Sequence, residues 1–128
     1  MGSDSQVESG DGWSVAAIDR LGEGPGFRKI RRELGVTEFG VNAIVIPAGY
    51  DTGAHYHETQ EELYVVLEGS VEIRFGDGTT HLLGPGGLAR VAAPVHRALK
   101  NVGESEATYV VVGAKGGYVG RDGREGDA

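Results

Sequence analysis

The chain has no cysteine, which excludes disulfides, thiolate metal ligands and a cysteine nucleophile; any metal must be held by nitrogen and oxygen donors. The same absence fits a reducing compartment, and the cytoplasm is the expected location. Positive charge is scarce. Twelve lysines and arginines stand against 19 aspartates and glutamates, a formal net charge of −7. Such a surface repels a phosphate backbone, so a nucleic-acid partner is not expected. Long apolar runs are missing as well: nowhere do 18 apolar residues follow one another, and the opening MGSDSQVESGDG is polar and acidic. Neither a membrane span nor a signal peptide is expected. Aromatics are few, with one tryptophan, five tyrosines and three phenylalanines.

Glycine is abundant instead. Its 23 copies favour many tight turns over long helices, and 128 residues suffice for one domain with one core. Short β-type segments recur along the chain: WSVAAI (13–18), FRKIRREL (27–34), FGVNAIVI (39–46), EELYVVLEG (61–69), SVEIRF (70–75), THLL (80–83), LARVAA (88–93), RALKNV (97–102) and ATYVVVGA (107–114). PAG at 47–49, GDG at 76–78, LGPGG at 83–87 and VGESE at 102–106 read as reversals between them. The spacing predicts an all-β barrel or sandwich. FRKIRREL resembles a helix in composition, but it lacks a cap and has glycines on both sides, so it is read as a strand. Residues 1–12 and 116–128 are glycine-rich and charged, and are expected as flexible ends around a single domain spanning 13–115. Tyr118 and Val119 are the residues able to tack the second tail down.

Half of the four histidines lie in one tripeptide, His55-Tyr56-His57. Side chains at i and i+2 of an extended chain share a face, so the two imidazoles can converge on one ion while Tyr56 points the other way. The segment that follows places Glu62 on one face with Tyr64 and Val66, opposite Glu61, Leu63, Val65 and Leu67. Glu62 is the candidate third ligand. Two imidazoles and a carboxylate suit one divalent transition metal, Fe, Mn, Ni, Cu or Zn, and leave coordination positions open.

The spacing Gly49, His55, His57, Glu62, Gly69 resembles the first motif of the cupin superfamily, G-x5-H-x-H-x3or4-E-x6-G, at all five positions. The family's second motif, G-x5-P-x-G-x2-H-x3-N, is degenerate here: Gly86 and Asn101 match, but Ala92 replaces the proline, Pro94 the glycine and Arg97 the histidine that would be the fourth metal ligand. His96 stands one residue early. Arg97 shares its face with Leu99 and Asn101, and His96 shares the other with Lys100, whose unpaired burial would cost several kcal/mol. Alternation therefore turns Arg97 inward and His96 outward. A register shift at Pro94 would make His96 the metal ligand instead. Facing the cavity, Arg97 can hold an anionic ligand; paired with Glu62, it fills a site that has lost its metal.

The resemblance covers roughly 36–114 and implies a double-stranded β-helix, or jelly roll, with extra N-terminal strands before it. It also implies a homodimer, and Leu63, Val65 and Leu67, opposite Glu62, need cover from the N-terminal strands or a second subunit. Tyr64 is a candidate proton-moving and substrate-binding residue, and Asn42 a further substrate-binding candidate. His81 is expected exposed. Trp13 is expected to anchor the N-terminal segment, and the basic run Arg28, Lys29, Arg31, Arg32 to be a solvated face with one side at the barrel mouth. Functionally, the resemblance permits a metal-dependent enzyme acting on a small anionic metabolite as a dioxygenase, isomerase, decarboxylase or cyclase. It equally permits a non-catalytic small-molecule or metal sensor, or a metal-free cupin.

Overall fold

The computed structural model describes residues 6–128. Twelve strands follow in order: β1 (Glu8–Gly10), β2 (Trp13–Val15), β3 (Gly26–Arg28), β4 (Gly40–Ile46), β5 (His55–His57), β6 (Glu61–Glu68), β7 (Val71–Phe75), β8 (Thr80–Leu83), β9 (Leu88–Val91), β10 (Arg97–Asn101), β11 (Ala107–Ala114) and β12 (Gly123–Glu125). A 3-10 turn at Ile18–Arg20 and one short helix, α1 (Ile30–Leu34), interrupt them. The strands form two five-stranded antiparallel sheets, β12-β5-β10-β7-β8 and β3-β4-β11-β6-β9, with β1 and β2 as a separate hairpin. This is the expected double-stranded β-helix. Among the described residues no helix is long and apolar enough to cross a membrane.

The alternation read from the sequence builds the core between the two sheets. Ile44 and Ile46 of β4, Tyr64 and Val66 of β6, Val71 and Ile73 of β7, Val91, Leu99, Ala107 and Tyr109 pack there as one buried cluster. Glycines serve the reversals. Gly69 has φ +86°, and a Cβ placed on it would lie 2.7 Å from the Cβ of Ala107, so only glycine lets β6 turn into β7 beside β11. Asn101 is buried at the end of β10. Its amide donates to the carbonyls of Ile46 and Ser105, and its oxygen accepts the Gly103 N–H, so it ties the reversal after β4 to the one after β10.

Three local expectations are corrected. FRKIRREL is not one strand: Phe27 and Arg28 belong to β3, and Ile30–Leu34 is helical. Gly35, which seemed to argue against a helix, is its left-handed cap (φ 77°), its N–H donating to the Arg31 carbonyl. The tail is not left loose. Gly123–Glu125 pairs with β5 along its whole length, Gly123 opposite His57 and Glu125 opposite His55. At the other end Glu8–Gly10 pairs with β2, while residues 1–5 of the expected flexible N-terminus lie outside the described residues. Trp13 lays its indole over Gly10 of the paired β1, within the N-terminal hairpin, and stays half exposed.

Candidate metal centre

β5 carries the two histidines on its inner face and Tyr56 on its outer face, as a pleated tripeptide must. Tyr56 stacks on His96 with ring centroids 4.5 Å apart and 6° between planes. The rings of His55 and His57 stand edge to face, 5.3 Å apart. Glu62 enters from β6 in the opposite sheet, so the site bridges both layers. One donor atom from each of His55, His57 and Glu62 can be chosen such that all lie within 4.8 Å of one another.

Glu62 is the hub. Its Oε2 lies 3.2 Å from His57 Nε2 and accepts from Gln60 Nε2 at 2.8 Å. Its Oε1 accepts the Tyr64 hydroxyl at 2.6 Å and lies 3.6 Å from Arg97 Nη2. The Tyr64 oxygen is also 3.5 Å from His55 Nε2. Burial alone would raise the Glu62 carboxyl. The hydrogen bonds from His57 and Tyr64, with the charges of His57 and Arg97, outweigh it and hold the carboxyl below its usual range. Burial, with the positive charge of Arg97, lowers His55, which favours the neutral imidazole that ligates metals. Burial and the Glu62 charge push the Tyr64 phenol well above 10.0.

Arg97 faces inward, opposite Phe75 and His55, in a β10–β7 register that runs unbroken from Arg97 to Asn101, so Pro94 introduces no slip. Its guanidinium is fully buried. Nη1 donates to the carbonyls of Val95 (2.8 Å) and Ala93 (3.3 Å), and Arg97 does not line the cavity in front of the histidines. The guanidinium thus stands next to Glu62, 3.6 Å from its Oε1, the pairing that the sequence also allowed for a site without metal. His96 is on the outer surface, its Nδ1 accepting the Asp127 N–H, and is not in the donor cluster. His81 is exposed.

A cavity of about 1390 Å³ opens in front of the donors. Asn42, Tyr64, His55, His57 and Glu62 all line it. Its lining carries Lys29, Arg31 and Arg32 from α1 and its lead-in and Arg121 and Arg124 from the tail, beside the acids Asp122 and Glu125. Arg32 is paired with Glu33 and Arg124 with Glu58, which leaves Lys29, Arg31 and Arg121 outside those ion pairs. Arg28 of the same run is buried elsewhere and donates to the Gly24 carbonyl. Two residues of the site were not singled out in the sequence. Gln60 was legible, since it lies two residues before Glu62 on the same face; Gly113 leaves the space its side chain occupies. Asp122 carried no local signal, because a partner 62 to 63 residues away on a turn-rich tail brings it in.

The donor set fits a divalent transition metal. Nitrogen and oxygen ligands at about 2.1 Å from one ion lie at most about 4.2 Å apart, so the trio needs only a small contraction. Arg97 supplies no fourth ligand, having no lone pair to give.

The cupin domain family matches this chain over residues 42–113. Comparison with curated proteins found no match. Among solved structures, a sugar phosphate isomerase of the cupin superfamily from Silicibacter pomeroyi is 29% identical with a TM-score of 0.64, covering 70% of this chain and 58% of its own. A cupin protein from Bacteroides fragilis is 22% identical with a TM-score of 0.69, over 91% of this chain and 92% of its own. A protein with a double-stranded β-helix domain from Klebsiella pneumoniae is 16% identical with a TM-score of 0.72, over 89% and 92%. The last two speak for the fold alone. With its family pattern spanning 42–113, its two-sheet barrel and its His55, His57 and Glu62 set, this chain belongs to the cupin domain family.

Proposed function

We propose that this protein is a metal-dependent cupin that binds one divalent transition metal through His55, His57 and Glu62 and acts on a small anionic metabolite. The observation that carries this reading is the convergence of those three donors at a cavity whose lining also holds Lys29, Arg31 and Arg121, on a chain whose net charge is −7. When bound, the ion supplies a Lewis acid with open positions for ligands. Glu62 is already compensated by Arg97, so a divalent ion brings two further positive charges into a buried site, and an anionic ligand offsets them. Lys29, Arg31 and Arg121 on the cavity lining attract that ligand, the role first expected of Arg97. Tyr64, held as a phenol, donates a hydrogen bond or a proton but does not serve as a base near neutral pH. Asn42 offers a neutral polar contact on the cavity wall. The isomerase likeness, at 29% identity, supports a small anionic substrate.

Metal analysis of untagged protein tests the reading, with close to one equivalent of transition metal expected in the wild type and its loss in His57→Ala. Less than about a tenth of an equivalent after loading and buffer exchange would overturn it. Turnover is then measured with Fe, Mn, Ni and Zn forms across small keto, hydroxy and phosphorylated acids, and silence throughout would favour a binding role over an enzymatic one.

A further inference from the structure

Asp122 is an acid buried with the site although it belongs to the tail. The chain reaches it through Arg121, the one non-glycine among the described residues with left-handed backbone, φ 54°. Its Oδ2 accepts the backbone N–H groups of Thr59 (2.9 Å) and Gln60 (2.8 Å), and its Oδ1 accepts the Thr59 hydroxyl at 3.1 Å. Three donors therefore fix the carboxylate, and they belong to the link between His57 and Glu62. The same Oδ2 lies 3.6 Å from His57 Nδ1, which is buried and has no hydrogen-bond partner among the described residues. Next to Asp122, Gly123 lies against the His57 ring, where a Cβ would stand 3.5 Å from Cε1.

An imidazole that gives one nitrogen to a metal carries its proton on the other, and a buried N–H needs an acceptor. Glu62 faces Nε2 of His57; on the Nδ1 side the facing carboxylate is Asp122. The gap exceeds a hydrogen bond by about half an ångström, which a small ring rotation closes. We propose that Asp122 is the positioning residue of the metal centre, holding His57 with its proton on Nδ1 and its Nε2 lone pair toward the ion. The proposal rests on the metal reading above, and it makes the tail segment part of the site.

Zinc affinity of the full chain, measured by competition with a chelating dye, tests it in wild type, Asp122→Ala and Asp122→Asn. Asp122→Ala is expected to bind zinc 10- to 100-fold more weakly, about the loss typical when an outer carboxylate partner of a ligating histidine is removed. Asp122→Asn keeps an oxygen for the loop N–H groups and for Nδ1–H, and is expected to recover part of that loss. In long-range 1H–15N spectra of the zinc-loaded wild type, His57 should show a protonated Nδ1 and a metal-bound Nε2, a signature that a merely structural aspartate would not set. A folded Asp122→Ala with unchanged affinity, or zinc on Nδ1, overturns the proposal while the metal reading stands. Should Asp122→Ala fail to fold, an Asp122→Asn affinity equal to wild type overturns it likewise. A wild type that takes up no zinc overturns both readings together.

Discussion

Arg97 stands where the cupin pattern has a histidine, and it settles into the barrel by giving two carbonyls a donor and Glu62 a counter-charge. Removing one partner of a buried ion pair leaves the other uncompensated. Arg97→Met is therefore expected to lower the stability of the metal-free protein by about 3 kcal/mol, read from urea unfolding. Arg97→His removes a cation next to the donors and offers an imidazole at the fourth position, so it should tighten metal binding in a calorimetric titration; weaker binding would place residue 97 outside the ion's reach. Tyr64 and Tyr109 make a second residue-level prediction. Burial and the Glu62 charge raise both phenols above 10.0 in the folded protein, so folding is favoured fully below that value and progressively less above it. Stability should start to fall as pH rises past about 10, and absorbance at pH 11 should show fewer tyrosinates than the five tyrosines would give unfolded.

At the scale of elements, β6, β7, β10 and β11 were legible within one or two residues of their expected bounds: β6, β7 and β11 bury alternate residues and the pattern records it, whereas β10, buried on both faces, was marked by its flanking turns. The inward direction of Arg97 was legible by the same parity. Helix α1 was not, since five residues are too few to display a helical period and its start lacks a side-chain cap. Nor was β12, whose only reason to be a strand is the exposed edge of β5. The two motif histidines could be read as a pair, yet nothing near them names Asp122, which arrives from across the chain. The turn from β6 to β7 supplies a test at this scale. Gly69→Ala forces a side chain into left-handed backbone and against Ala107, and is expected to cost roughly 2 kcal/mol or more, visible as a lower thermal midpoint. An unchanged midpoint would mean that the turn can be redrawn.

For the molecule as a whole, the sheet β3-β4-β11-β6-β9 presents an outer surface with an apolar stretch beside the exposed Arg90–Glu61 ion pair. Leu63 and Val65 of β6, Leu88 of β9, and Val110 and Val112 of β11 share that side by register. Leu63 is 40% exposed and Leu88 63% exposed, so the N-terminal strands do not provide the cover. A second copy of the chain is the occupant we expect, burying this surface in a homodimer. Sedimentation should give twice the 13.4 kDa of one chain, and Leu63→Glu combined with Leu88→Glu should give single chains that keep their secondary structure. Dimers that persist in this variant would move the contact to another face.

The pairing of β12 with β5 has a further consequence, for solubility rather than chemistry. Without it the backbone of His55-Tyr56-His57 would present a free edge, a template on which a strand from another chain can add. The same short segment that brings an aspartate to His57 therefore blunts the sheet at its rim. Variants clipped in the tail should be prone to aggregate before any loss of the core, and proteolysis near Gly116 would release sticky barrels rather than unfolded chains.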